Sequence, residues 1–167
     1  MILNNVNNLS IVGDFVAKYE ETIIDKYPRL KNSDIKVFID TLLKDPYKDL
    51  NTYKDSPYTS NTACNVIFKH EDAFNKCGFL AEEEMAMIGH ELGHINAWIL
   101  KPEQQKQLQN EYQADDFSIF LGLANEMKSA LQKIIKAGIC PDHNDDMQKR
   151  IDRINEMQLP SQTTSSF

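Results

Sequence analysis

The sequence predicts an α+β domain, mostly helical, with a small β-sheet beside one central helix. Apolar residues recur at helical spacing in most segments of the chain, while one run, Thr62 to Lys69, is rich in β-branched and aromatic residues. The length of 167 residues supports one core and is too short for two comfortable ones. We read residues 1–159 as one domain and residues 160–167, a Ser/Thr/Gln stretch, as a disordered tail.

The opening Met1 to Ser10 is rich in Asn and lacks both a basic start and an apolar core, so no signal peptide is visible. Residues 9–26 place Ile11, Val12, Phe15, Val16, Tyr19, Ile23 and Ile24 on one helical stripe, and Pro28 closes the segment. Asp14, Glu20, Glu21 and Asp25 stand on its polar face, where a membrane-surface helix would carry Lys or Arg. From Ser33 to Lys44 the pattern is divided. Ile35, Val37 and Ile39 alternate as in a strand, whereas Ile35, Phe38, Ile39, Leu42 and Leu43 fit helical spacing behind a possible Ser33 cap, and the count favours helix. Residues 45–61, with Pro46, Pro57 and many Asp, Asn, Ser and Tyr, read as a loop that can serve as a rim or lid.

Thr62 to Lys69 is the clearest strand, and His70 at its end reads as a surface residue without a role. Glu82, Glu83 and Glu84 then open a helix that runs to Lys101-Pro102, their charge meeting the positive end of the helix dipole as a solvated first turn. Gly89 and Gly93 inside it each cost about 1 kcal/mol relative to Ala, which suggests that another backbone or a substrate comes close there. A second helix over residues 103–121 returns antiparallel, a third ends at Gly138, and Pro141-Asp142-His143-Asn144 leads into a last one carrying Met147, Arg150, Ile151 and Ile154.

The chemistry concentrates on His90-Glu91-Leu92-Gly93-His94. On a helix His90 and His94 share a face one turn apart, able to point ring nitrogens at a single ion, with Glu91 beside them to take a proton from water. A chance HExxH arises in fewer than about one shuffled chain in a hundred, so a third ligand is the necessary check. Glu111-Tyr112-Gln113-Ala114-Asp115 supplies it. Glu111 and Asp115 share a face at i,i+4, so one carboxylate can bind the metal while the other holds the spare N–H of a ligand histidine.

His90-Glu91-x-x-His94 followed by Glu111-x-x-Ala114-Asp115 resembles the gluzincin metallopeptidases, in particular the prenyl-protein endopeptidases, the bacterial heat-shock membrane protease and the small soluble minigluzincins. That resemblance covers residues 60–154 and implies a zincin-like fold with one Zn2+ held by His90, His94 and Glu111. It makes Glu91 the catalytic acid/base and Asp115 a support for the histidines, and it implies a strand rather than a helix over residues 33–44. It also implies that Thr62 to Lys69 is an edge strand above the zinc, pairing with an extended peptide. Relatives carry His-Pro and then Arg-Ile near the last helix; His143 and Arg150-Ile151 match in part, without the Pro and with one extra residue. His143 is thereby a candidate to hydrogen-bond the oxyanion.

The expected function is a zinc-dependent endopeptidase acting on a peptide or protein substrate. Alternatives are a regulatory repressor-cleaving metalloprotease with one dedicated protein partner, and a non-catalytic zinc-binding protein. The first lacks a Leu-Leu-Met-Pro-like segment after Phe117, and closed structural sites are usually four-coordinate and Cys-rich. A net charge of −7 with scattered lysines argues against a nucleic-acid partner. The nine uncharged residues between Asp116 and Glu126 fall far below the roughly 20 of a membrane span, so no membrane insertion is expected, unlike the membrane-embedded relatives. Cys64, Cys77 and Cys140 form no CxxC pair and read as buried reduced thiols in a soluble, cytoplasmic protein whose oligomeric state the sequence leaves open.

Overall fold

The computed structural model describes residues 2–42, 55–100 and 108–160. Strand β1 (Leu3–Asn5) leads into α1 (Ser10–Lys26), which buries Val12, Phe15, Tyr19 and Ile23 and ends where Pro28 starts a 3-10 turn. Asn5 links the two, its side chain accepting from Leu9 N and donating to Leu9 O, both at 2.8 Å. Next come β2 (Ile35–Ile39), β3 (Tyr58–Asn61) and β4 (Val66–Lys69). The short helix α2 (Glu71–Cys77) follows, and then α3 (Ala81–Leu100), α4 (Leu108–Phe120), α5 (Ala124–Ala137) and α6 (Asn144–Gln158).

The sheet order is β1-β2-β4-β3, with β1, β2 and β4 parallel and β3 antiparallel to β4. One face packs on the helices. Ile35, Val37, Ile67 and Tyr58 join residues of α1, α3, α4 and α5 in the main core, while Phe38, Val66 and Phe68 form a separate buried cluster. The helical content and small sheet match the expected α+β class. Among the described residues no helix is long and apolar enough to cross a membrane.

Several local expectations are corrected. The open choice over residues 33–44 resolves as strand β2 followed by a 3-10 turn, Asp40–Leu42, so the helical count misled. The expected loop of 45–61 ends in β3, and Pro57, which has no N–H to donate, precedes it as suits an edge strand. Residues 43–54, the rest of that expected loop and lid, lie outside the described residues, as do Lys101-Pro102, residues 103–107 of the second helix and residues 161–167 of the tail.

The expected strand from Thr62 contracts to β4, because Thr62–Cys64 is a 3-10 turn and Asn65 turns the chain through the left-handed region at φ 53°. Its interior place also overturns its role as the edge: β4 pairs on both sides, and the edges are β1 and β3. His70 is fully buried rather than a surface residue. Its Nε2 lies 2.6 Å from Thr59 Oγ1 and its Nδ1 3.2 Å from Asp40 Oδ2, while Asp40 Oδ1 accepts from Glu71 N at 3.2 Å.

The acidic first turn of α3 is solvated only at Glu82. Glu83 is buried, its Oε1 accepting from Leu80 N and Lys133 Nζ and its Oε2 from Ser129 Oγ. Glu84 is buried against the sheet. Of the three free thiols Cys77 is buried as expected, but Cys64 is exposed and Cys140 half-buried.

Candidate metal centre

Helix α3 is buried along almost its whole first three turns, and α4 lies close against it. Gly89 and Gly93 allow that approach. A Cβ at Gly93 would stand 2.8 Å from both Cα and O of Ala114, and one at Gly89 would stand 2.7 Å from Ser118 Oγ. The neighbour the sequence left open between backbone and substrate is therefore α4. Ser118, with no signal in the sequence, adds a buried bond from its Oγ to Ala86 O at 2.6 Å.

Close packing brings Glu111 to the two histidines. His90 Nε2 and His94 Nε2 lie 3.1 Å apart, and Glu111 Oε2 lies 3.0 Å from the first and 3.4 Å from the second. Ligands about 2.0–2.1 Å from one tetrahedral ion are separated by roughly 3.3 Å, so these three atoms are spaced to share one. They form a cluster that can hold a metal ion. Two imidazole nitrogens and a carboxylate oxygen suit zinc, and nothing in the donor set argues against it. Glu111 is held well below the usual carboxylate range: burial opposes this, but its bonds to both histidines outweigh it.

Asp115 sits where the sequence placed it, one turn behind Glu111. Its Oδ1 lies 2.8 Å from His90 Nδ1, which places a hydrogen on Nδ1 and turns Nε2 toward Glu111 and the cluster. The residue the sequence did not place is Arg150. Its Nε donates to Asp115 Oδ2 at 2.8 Å and its Nη2 to Oδ1 at 2.7 Å, a bidentate pair in the interior. Nη2 also lies 3.2 Å from His90 Nδ1, where Asp115 Oδ1 accepts from both, and Nη1 lies 3.5 Å from Glu111 Oε2. Burial would raise the Asp115 carboxyl, but Arg150 and His90 overcome it and bring it down to about 2. Burial and Arg150 likewise oppose protonation of His90, yet bonds to Asp115 and Glu111 lift it to about 9.

The cluster opens onto a cleft of about 430 Å3. Glu91, buried yet lining the cleft, lies beside the cluster with β3 as one wall; Met87, Leu131, Ile134 and Met147 form an apolar floor. His143, the exposed last residue of the 3-10 turn Pro141–His143, lines the cleft as well. The β3 wall is fastened to α3. Tyr58 Oη donates to Glu84 Oε1 at 2.6 Å and Lys69 Nζ to the same atom at 2.7 Å, on the stripe of α3 that continues seven residues later to Glu91. Burial first, and then the adjacent Glu84, push the Tyr58 phenol well above its ordinary value.

No family model matches the sequence, and comparisons with curated proteins and with solved structures return no match. The geometry of the cluster and its cleft thus carries the functional reading.

Proposed function

We propose that this protein is a zinc-dependent peptidase of gluzincin type that hydrolyses peptide bonds in the cleft beside His90, His94 and Glu111. The observation that carries the reading is that three donors about 3 Å apart face a cleft holding an additional, non-ligating carboxylate, Glu91. A closed structural site would spend its fourth position on a protein ligand; among the described residues the cluster groups three donors only, and they line the cleft.

Zinc bound by these residues supplies a Lewis acid that polarises the scissile carbonyl and acidifies an attacking water. Glu91 takes the proton of that water and returns it to the leaving amine. Arg150 and Asp115 hold His90 in the tautomer that presents Nε2. His143, on the cleft wall, is assigned the hydrogen bond to the oxyanion. The substrate is a peptide or an unfolded protein segment, since the wall facing the cluster is a strand edge with main-chain groups to offer. Three free thiols and no disulfide suit a reducing compartment, and we place the protein in the cytoplasm.

The test is digestion of a mixed peptide library by zinc-loaded wild type, Glu91→Gln and Glu111→Ala, with metal content measured for each. We expect cleavage by wild type alone, zinc retained by Glu91→Gln with activity lower by about 10²–10⁴-fold, and zinc weakened in Glu111→Ala. Equal cleavage by wild type and Glu91→Gln would overturn the proposed mechanism.

A further inference from the structure

One stripe of α6, continued back to its N-cap His143, borders the cleft: His143, Asp146, Met147 and Arg150 all line it, at i, i+3, i+4 and i+7. Arg150, at the inner end, is engaged by Asp115 and has its Nη1 3.5 Å from Glu111. Met147 is buried and belongs to the apolar floor. Asp146 is exposed, and no hydrogen bond or ion pair among the described residues engages its carboxylate. At about 1.5 Å per helical residue it stands roughly 6 Å along α6 from Arg150, away from the metal cluster and toward the mouth. An acid in the first turn suits the helix dipole, but that holds equally for Asp145, which does not line the cleft. The mouth is acidic on its other side too. Asp55 is exposed where the lead-in to β3 meets Cys140, whose Sγ donates to Asp55 O at 3.0 Å. Burial first, and then Asp55, push the Cys140 thiol above its ordinary value. On the facing wall Ser60 is nine-tenths buried and its Oγ has no hydrogen-bond partner among the described residues, so the cleft holds polar capacity for a ligand beside its apolar floor.

From this arrangement we propose that Asp146 is a specificity residue that selects a lysine or arginine side chain in the peptide, with the aliphatic stem on the floor and the cationic head at the mouth. Resting on the peptidase reading, the inference names the side chain that the cleft prefers. The floor of Met87, Leu131, Ile134 and Met147 would take any aliphatic side chain, whereas only a cation finds a partner in Asp146. A cation held close to the three donors would be repelled by bound zinc, and the mouth keeps it clear of that charge. Because the head stays in water while the stem is buried, no desolvated ion pair has to form. The same exposure bounds the effect, since an exposed ion pair changes affinity by roughly 1.4-fold to 5-fold.

The probe is a set of N-acetylated, C-terminally labelled peptides of uncharged residues, with one position fixed as lysine, arginine, norleucine or glutamate. Norleucine carries the stem of lysine without its charge. Binding is measured by fluorescence polarisation to zinc-loaded Glu91→Gln protein, and kcat/KM by mass spectrometry with zinc-loaded wild type. At low ionic strength we expect lysine and arginine to exceed norleucine about threefold to fivefold in both measurements, and glutamate to fall below it. About 0.5 M NaCl should bring the lysine-to-norleucine ratio close to 1. Asp146→Asn should do the same at low salt, and Asp146→Lys should place glutamate above lysine. Asp145→Asn removes the same charge from the same helical turn and should keep the ratio of wild type, whereas a role in helix stability or overall charge would move both variants alike.

A ratio near 1 in wild type, a ratio insensitive to salt, or one that Asp146→Asn leaves unchanged would overturn the inference, while zinc-dependent and Glu91-dependent cleavage would keep the peptidase reading in place. A preference seen only when the acetyl group is omitted would overturn it too, because the cation bound would then be the free α-amine. Asp146-dependent binding of the cationic peptides without cleavage would remove the peptidase reading alone, and absence of both binding and cleavage would remove both.

Discussion

A Cβ placed on Gly93 would fall 2.8 Å from the Cα of Ala114, so the helix bearing both histidines and the helix bearing Glu111 meet backbone to backbone at this point. Substituting Gly93 by Ala would gain about 1 kcal/mol of helix propensity. The clash is with backbone and with Phe117 Cβ at 2.9 Å, neither of which can swing away, and overpacking typically costs about 1–3 kcal/mol. Gly93→Ala should therefore lower the melting temperature and also weaken zinc, because the two helices separate. Titration against a chelator of known affinity checks the second effect.

Asp115 and Arg150 make a different prediction. Asp115→Asn keeps the shape but takes from the buried guanidinium its bidentate anion, leaving only the longer contact to Glu111, and lets His90 change tautomer. We expect zinc affinity to fall by about 10–100-fold, as when an outer-shell partner is lost, together with a clear loss of stability. If zinc affinity in Asp115→Asn equals that of wild type, Asp115 does not orient His90.

At the strand wall the two donors to Glu84 should be unequal. Tyr58→Phe removes one hydrogen bond to a carboxylate that keeps its lysine, a loss of about 1.5–3 kcal/mol. Lys69→Met leaves the buried carboxylate with no cation and should cost more. Urea unfolding of the two variants gives the order directly.

Glu83 gives a pH signature away from the metal. Burial raises its pKa, but Lys133, Ser129 and Leu80 N outweigh burial, and the net shift is downward. A depressed carboxyl stabilises the fold above its unfolded value of about 4.3 and loses that contribution as pH falls through the folded value. Glu83→Gln should thus be less stable than wild type at pH 7 by about 1.5–3 kcal/mol, with the gap closing as the solution is acidified below pH 4. A gap independent of pH would mean that the charge of Glu83 contributes nothing.

The donors were legible because helical periodicity alone aligns His90 with His94 and Glu111 with Asp115. Arg150 was singled out only through the resemblance and given no partner, since nothing local ties it to a residue 35 positions earlier in the chain. β2 looked helical because it is buried on both faces: Ile35 and Val37 point to the helices, Phe38 to the second cluster, and alternation disappears. β1 and β3, of three and four residues and partly polar, are too short for any periodic signal. His70 and Glu84 were misplaced for one reason: a polar side chain reads as solvated until the partners that satisfy it are known.

The three donors span residues 90–111, whereas β1 and β2 pair only after the chain has closed a loop through α1. Closing the shorter loop carries the smaller entropic cost. Zinc present during refolding should therefore help nucleate α3 against α4 before β1 and β2 pair, whereas the β3–β4 hairpin, closed over residues 62–65, forms from still more local contacts. The metal would thus act as a folding template for the two helices before the parallel half of the sheet exists.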